Sequence, residues 1–405
     1  FKASSGATTP MLETRPVIGV TFKGWGAAGN VDWRINNKLS FKSITAVRAY
    51  DSYFANDNDL SPLANSLGFG NLTFHSFSEE VRLNGAALAE DRLEYTVGGY
   101  YMRQKSVYAT TQDLRYSAAS LTQFVGNDPV NANAKAVFGH LSVKATDALT
   151  VTGGIRNTQE HKDYTFSRRT YAGALHPSLG GLDGVTSNYD GSKVDYRLNA
   201  QYQWTPGVMT YLQYATGFKG GGVSPRPFSP AQAVPFNPEQ LKSYEFGVKA
   251  DLFQKVLRVN ASVFKSDYTD LQLGLSTCPA QYAPVSPCAV ITNAGDAEIK
   301  GLEIETVLRP IDGLTIDAAY SQLDFQYKRF NDYAGGATNP RGPQFGMRPA
   351  YVPKVKWSAG IQYEIALGDY GTLVPRLDIS HQGELYSNGF NAATNLIDAY
   401  NLSNA

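Results

Sequence analysis

The sequence is short of most features that mark a soluble enzyme. Only two cysteines, Cys278 and Cys288, occur in 405 residues, too few for a disulfide-scaffolded secreted domain or a multi-cysteine metal centre. The five histidines, His75, His140, His161, His176 and His381, show no His-x-x-x-His or Glu-bracketed spacing, so no metal site is written in the sequence. Formal charge cancels at 36 basic against 36 acidic side chains, which leaves no footprint for nucleic acid or an anionic surface. No run of eighteen apolar residues exists; that excludes a spanning helix and leaves spanning strands open. A basic segment leading into an apolar one is also missing at the start, so no signal peptide is visible.

What is present is alternation. From Lys242 to Leu252, Tyr244, Phe246, Val248, Ala250 and Leu252 occupy one parity and Ser243, Glu245, Gly247, Lys249 and Asp251 the other. A strand sends successive side chains to opposite faces, so one face here is apolar and the other polar. Val194 to Trp204, Leu257 to Val263 and Val355 to Ile365 repeat the pattern, and no helical period fits them.

The connections sort into two lengths. Short ones include 205–207, 252–255, 310–313 and 367–371. Long ones include roughly 52–71, 108–131, 167–192, 220–238, 270–293 and 331–351. A soluble β-sandwich also alternates, but its strands are shorter, about five or six residues, and its connections are not sorted in this way. The expected fold is therefore all-β: an antiparallel transmembrane β-barrel with long outer loops and short periplasmic turns. A secreted β-solenoid or large adhesin is the competing architecture. The 25 tyrosines and 20 phenylalanines suit aromatic girdles at the two lipid interfaces.

About sixteen strands are expected, the last opening at Leu396. Because an unpaired edge in lipid is costly, and because bacterial barrels typically finish on an aromatic residue, residues 1–405 are expected to be an interior stretch of a larger barrel.

Several segments resemble the barrel of TonB-dependent outer-membrane receptors. Phe77-Ser78-Glu79-Glu80-Val81-Arg82-Leu83 is similar to a recurrent strand of that family, and Tyr214 to Gly222 resembles its strand exit into a glycine-rich loop. Asn237-Pro238-Glu239, Ser243 to Lys249 and Thr292 to Glu305 follow in the family's order. The resemblance implies about twenty-two strands, an N-terminal plug folded inside the barrel, and a short segment that engages TonB. Neither the plug nor that segment is visible in this chain. It further implies outer-membrane location and energised uptake of a scarce, bulky nutrient. The default ligand is a small-molecule or metal chelate, a ferric siderophore first. The alternative is a passive diffusion porin with a permanently open lumen; an adhesin or secretion pore is a third class. No cofactor is expected.

Residue roles follow from parity and position. Arg197, Glu245, Lys249, Asp251, Glu303 and Glu305 are expected to face the lumen, where they solvate it, pair with a plug, or guide substrate. Ligand capture is expected from the long loops, with Tyr171, Arg226, Tyr282, Tyr333, Arg341 and Arg348 among the candidates and no subset privileged by sequence. Such aromatics and cations suit a catecholate or other anionic siderophore; stacking also suits sugars, and loop aromatics also pack loops together. Cys278 and Cys288 are expected to form a local disulfide that stiffens an outer loop by about 2–3 kcal/mol. Gly220-Gly221-Gly222 lacks the frame of a phosphate loop and is expected to act as a hinge. His140 and Ser142 share a strand face but have no orienting third group, so no enzyme is expected.

Overall fold

A computed structural model describes residues 20–57, 66–88, 92–115, 121–275, 282, 288, 290–331, 342–389 and 391–405. Among them, fifteen long strands form one sheet in which every strand pairs antiparallel with its sequence neighbour. They are β1 Thr21–Asn36, β2 Leu39–Asp57, β3 Ser66–Ala87, β4 Leu93–Arg115, β5 Leu121–Lys144, β6 Leu149–Thr165, β7 Thr186–Thr205 and β8 Val208–Lys219. The series continues with β9 Glu239–Leu252, β10 Leu257–Thr269, β11 Gly295–Leu308, β12 Leu314–Phe330, β13 Val355–Tyr363, β14 Arg376–Gln382 and β15 Tyr400–Asn404. No α-helix occurs among the described residues.

The register is that of a tilted barrel wall. Successive partners run from Leu39 through Gly85, Tyr95, Leu141, Gly153, Leu198, Tyr214, Tyr244, Lys265 and Lys300 to Asp324. This row starts at the first residue of β2, beside a short turn, and ends deep in the loop half of β12. Such a stagger is what closing a sheet around an axis requires. Its composition changes on the way: apolar through Tyr244, then charged, because the row climbs out of the lipid-facing band.

All residues in that row share one face, with Trp33, Tyr196, Phe246, Val248 and Ile361. These positions are exposed or half-buried, as a lipid-facing surface must be. Tyr202–Trp204 and Tyr214–Tyr244 form ring pairs on it at 4.6 and 5.1 Å.

The opposite face is polar and cross-linked. Arg376 spans three strands there: its Nη1 and Nη2 donate to Asp317 at 2.9 and 3.2 Å, and Nε donates to Asp378 at 3.0 Å. Gly360 sits under the guanidinium, where any Cβ would collide with it.

The strands outrun the membrane. β4 and β5 have 23 and 24 residues, against about 9–11 needed to span. Much of what reads as long loop in the sequence, 52–57, 66–71, 108–115 and 121–131, is therefore strand. Above the bilayer both faces meet water, so no apolar stripe is needed and the alternation fades while the ladder continues. A second difference lies at the opposite end. The turn expected at 367–371 is the tip of a twelve-residue connection, 364–375, that carries its own ladder, Ile365–Ala366 with Thr372–Leu373.

Candidate functional site

The inward face of β2–β6, at the loop end, is roofed by two connections, 166–185 and 220–238. The first turns back onto the wall because its backbone pairs with β5, with Val125 N donating to Arg169 O at 2.8 Å and Arg169 N to Val125 O at 2.9 Å. Phe166 and Leu182 from it pack with Val223 and Ala233 from the second, while Leu179 joins Leu114, Phe124 and Phe228. Burial of these apolar groups holds the roof together.

One ion pair anchors it. Arg168, only 2% exposed, donates through Nη1 to both carboxylate oxygens of Asp128 at 2.7 and 2.9 Å, and its guanidinium lies 5.2 Å from the Phe124 ring centre. Arg168 Nε is buried and has no hydrogen-bond partner among the described residues. Within the same connection, the Ser167 hydroxyl and the Arg169 guanidinium hold the Asp183 carboxyl below the usual carboxylate range. His176 Nδ1 accepts the backbone N–H groups of Ser178 and Leu179 at 3.2 and 3.1 Å. Burial pushes this imidazole down, which keeps it neutral.

Under the roof lies an open cavity of about 460 Å³. Phe54, Leu72, Tyr108 and Tyr164 line it from inward strand positions, and Phe166, Pro225 and Arg226 from the connections. Phe54 and Tyr108 stack at 6.2 Å, Tyr164 and Phe166 at 6.4 Å. Arg226 is exposed and has no ion pair with any described residue. A wall of aromatic faces with one uncommitted guanidinium can hold a flat or electron-rich anion by stacking and charge-assisted hydrogen bonding.

The other loop candidates are placed differently. Tyr171 donates its hydroxyl to Gln112 O at 2.8 Å and braces the roof. Tyr282 packs beside Cys288 against Leu275, Val290 and Ala294. Arg348 is committed to Glu384 at 2.7 Å and to the Tyr386 ring at 5.2 Å. Tyr333 and Arg341 lie outside the described residues. Cys288 is disulfide-bonded; Cys278, its expected partner, lies outside the described residues.

Register places Arg197, Glu245, Lys249, Asp251, Glu303 and Glu305 on the inward face. Glu245 accepts from the Tyr211 hydroxyl, Asp251 holds Arg258 at 2.7 Å, and Arg197 donates to Gln213 at 3.0 Å. His140 and Ser142 share this inward face, and Ser142 accepts from Thr152 at 3.1 Å.

The glycine triplet expected to act as a hinge is close-packed. A Cβ on Gly220 would strike Glu160, and one on Gly221 would strike Phe236 O and the Tyr189 ring. Lys162 Nζ donates to Gly221 O at 2.6 Å. Two segments that carry the family resemblance also touch: Asn237 N donates to Asn293 Oδ1, and Asn293 Nδ2 to Asn237 O, both at 2.8 Å.

The family model described as "TonB dependent receptor-like, beta-barrel" matches residues 5–405. The chain belongs to the TonB-dependent receptor family. This receptor barrel is 24% identical over 311 residues to the pesticin receptor of Yersinia enterocolitica, covering 76% of the chain and 41% of that protein. It is 26% identical over 187 residues to the ferrioxamine B receptor of Salmonella typhimurium, 46% of the chain and 23% of that protein. The chain thus spans less than half the length of these curated relatives. The fold matches the ferric yersiniabactin uptake receptor FyuA from Yersinia pestis with a TM-score of 0.73 at 19% identity, over 95% of this chain and 53% of that one. The siderophore receptor PiuA from Acinetobacter baumannii matches at 0.71 and 14% identity, over 95% and 57%. The family consists of outer-membrane transport receptors rather than enzymes, and the receptor barrel is an outer-membrane protein.

Proposed function

We propose that residues 1–405 act as the barrel unit of a receptor that takes up a bulky anionic chelate, by default a ferric siderophore, with energy delivered through TonB to a plug inside the barrel. The observation that carries this reading is the roofed cavity: aromatic walls with Arg226 unpaired among the described residues. Relatives named for pesticin and for ferrioxamine B, and a fold neighbour named for ferric yersiniabactin, support the substrate class. The metal is cargo held by its chelator, so no protein ligands for it are required. Arg226 and the cavity aromatics are the proposed primary contacts. Tyr171, Tyr282 and Arg348 act through loop packing, and Tyr333 and Arg341 are further candidate contacts. The inward charges Arg197, Glu245, Lys249, Asp251, Glu303 and Glu305 face the plug.

A passive porin is the competing reading. Radiolabelled ferric-chelate uptake by cells expressing the receptor separates the two. Energised transport stops when a protonophore is added or TonB is deleted. Uptake that continues at the same rate under both treatments would replace the receptor reading with a pore.

A further inference from the structure

The connection between β13 and β14 has features that ligand uptake does not use. Its ladder keeps the register of the strands it joins: Gln362 pairs with Arg376, Ile365 with Leu373, and Ala366 with Thr372. Faces are therefore preserved along the hairpin. Ile365, Leu367 and Leu373 continue the lipid-facing stripe of Ile361, Tyr363 and Leu377, whereas Thr372 continues the inward face. The neighbouring turn ends at Gly313, whose carbonyl receives Glu364 N at 2.9 Å. Three strand steps beyond that point carry the hairpin roughly 10 Å past its neighbour.

This projection is apolar and uncovered. Tyr370 at the tip is 94% exposed and Leu373 53%. Two nearby short turns show the same feature, with Phe253 74% exposed and Ile311 also exposed. On the β12 side the hairpin has no neighbouring strand beyond Gly313 among the described residues. Hydrocarbon is then excluded, because that open backbone edge would lose its hydrogen bonds there. Free water is unfavourable for the apolar side chains. The boundary between headgroups and acyl chains satisfies both, and it is where tyrosine is preferred.

We propose that the Ile365–Leu373 hairpin is a lipid-binding foot that lies in the headgroup–acyl boundary of the inner leaflet, with Tyr370 at its tip. Phospholipid is assigned as the occupant because the hairpin's apolar stripe is continuous, in register, with the face that already contacts lipid.

The test places nitroxide labels at Tyr370→Cys, Leu373→Cys and Thr372→Cys in the full-length receptor. The protein is reconstituted in phosphatidylethanolamine–phosphatidylglycerol vesicles, with folding checked by heat-dependent gel mobility. Collision rates with oxygen and with a water-soluble nickel chelate are then compared. Labels at 370 and 373 are expected to favour oxygen, and the label at 372 to favour nickel more than either. Nickel-favouring collisions at all three positions would overturn the proposal and make the hairpin a water-exposed docking surface for a periplasmic protein. A label at 373 shielded from both reagents would also overturn it, since the hairpin would then pack on the receptor itself.

Discussion

Arg168 and Asp128 form a buried pair that joins an outer connection to the barrel wall, 40 residues apart in sequence and 2.7 Å apart in space. Removing one partner leaves the other charge buried alone, which costs about 3–5 kcal/mol. Arg168→Ala and Asp128→Ala are each expected to loosen the roof over 166–185. The measurement is the rate of proteolytic cutting in that segment. A double change to Met and Leu should restore much of the protection, because no charge is then stranded. If both single variants resist cutting as the parent does, the pair is not the anchor.

Ligand affinity should depend on Arg226 more than on any loop residue already paired. A hydrogen bond to a charged group contributes about 1.5–3 kcal/mol, so Arg226→Ala is expected to weaken binding of an anionic ferric chelate about 10- to 100-fold. Arg348→Ala, which removes a guanidinium already held by Glu384, should change affinity far less. Titration of the two purified variants with the same chelate compares them directly, and equal losses would remove Arg226 from the site.

The two faces of the wall should differ in their tolerance of charge. Val248→Lys and Ile361→Lys place an ammonium against lipid near mid-strand, at a cost of about 2–4 kcal/mol. Ser243→Lys and Gln362→Lys point inward and should cost much less. Urea-unfolding midpoints of the four variants give the comparison. Indistinguishable midpoints would contradict the register.

The barrel was legible in the sequence because the bilayer imposes a period on one face of each strand: Tyr244, Phe246 and Val248 alternate with Ser243, Glu245 and Gly247 for that reason alone. Where the constraint ends, the signal ends. Phe54 and Tyr108 sit on strand extensions above the membrane, inside segments that read as loop, so their inward parity was invisible until the pairing of β2, β3 and β4 supplied it. A ring at an inward position next to the last alternating residue is the signal that would have found them. Arg226 was recognisable as a loop cation, but nothing in its neighbours distinguished it from Arg348. That distinction depends on Glu384, 36 residues further along the chain. The glycine triplet was visible as a feature but its close packing was not, because Glu160 and Tyr189 approach it from other strands.

That close approach is itself testable. Gly221→Ala would press a methyl group into Phe236 O and the Tyr189 ring, and overpacking of this kind costs about 1–3 kcal/mol. Gly217→Ala, where a Cβ meets nothing, is the matched control. The expected result is faster amide exchange across 220–236 in the first variant and none in the second. A hinge would give the opposite ranking of cause: slower loop motion in Gly221→Ala without loss of protection.

The roof should also weaken in acid, for a reason confined to His176. Burial lowers the imidazole's pKa below its ordinary value near 6.5, so the folded roof binds the proton less well than the unfolded segment does. Stability from this group is therefore complete above about pH 6.5 and is lost progressively as pH falls from there toward the lowered folded value. Protonated Nδ1 can no longer accept the amides of Ser178 and Leu179, so those two N–H groups should lose protection first. Amide exchange at pH 7.5 and pH 5.0, corrected for the intrinsic rate, is expected to show a loss at these positions in the parent protein. His176→Asn keeps a side-chain acceptor without a titrating proton and should flatten the difference. Persistence of the same pH dependence in that variant would assign it to another group; Asp183 is not that group, because its lowered pKa contributes stability that disappears only at more acidic pH than this window.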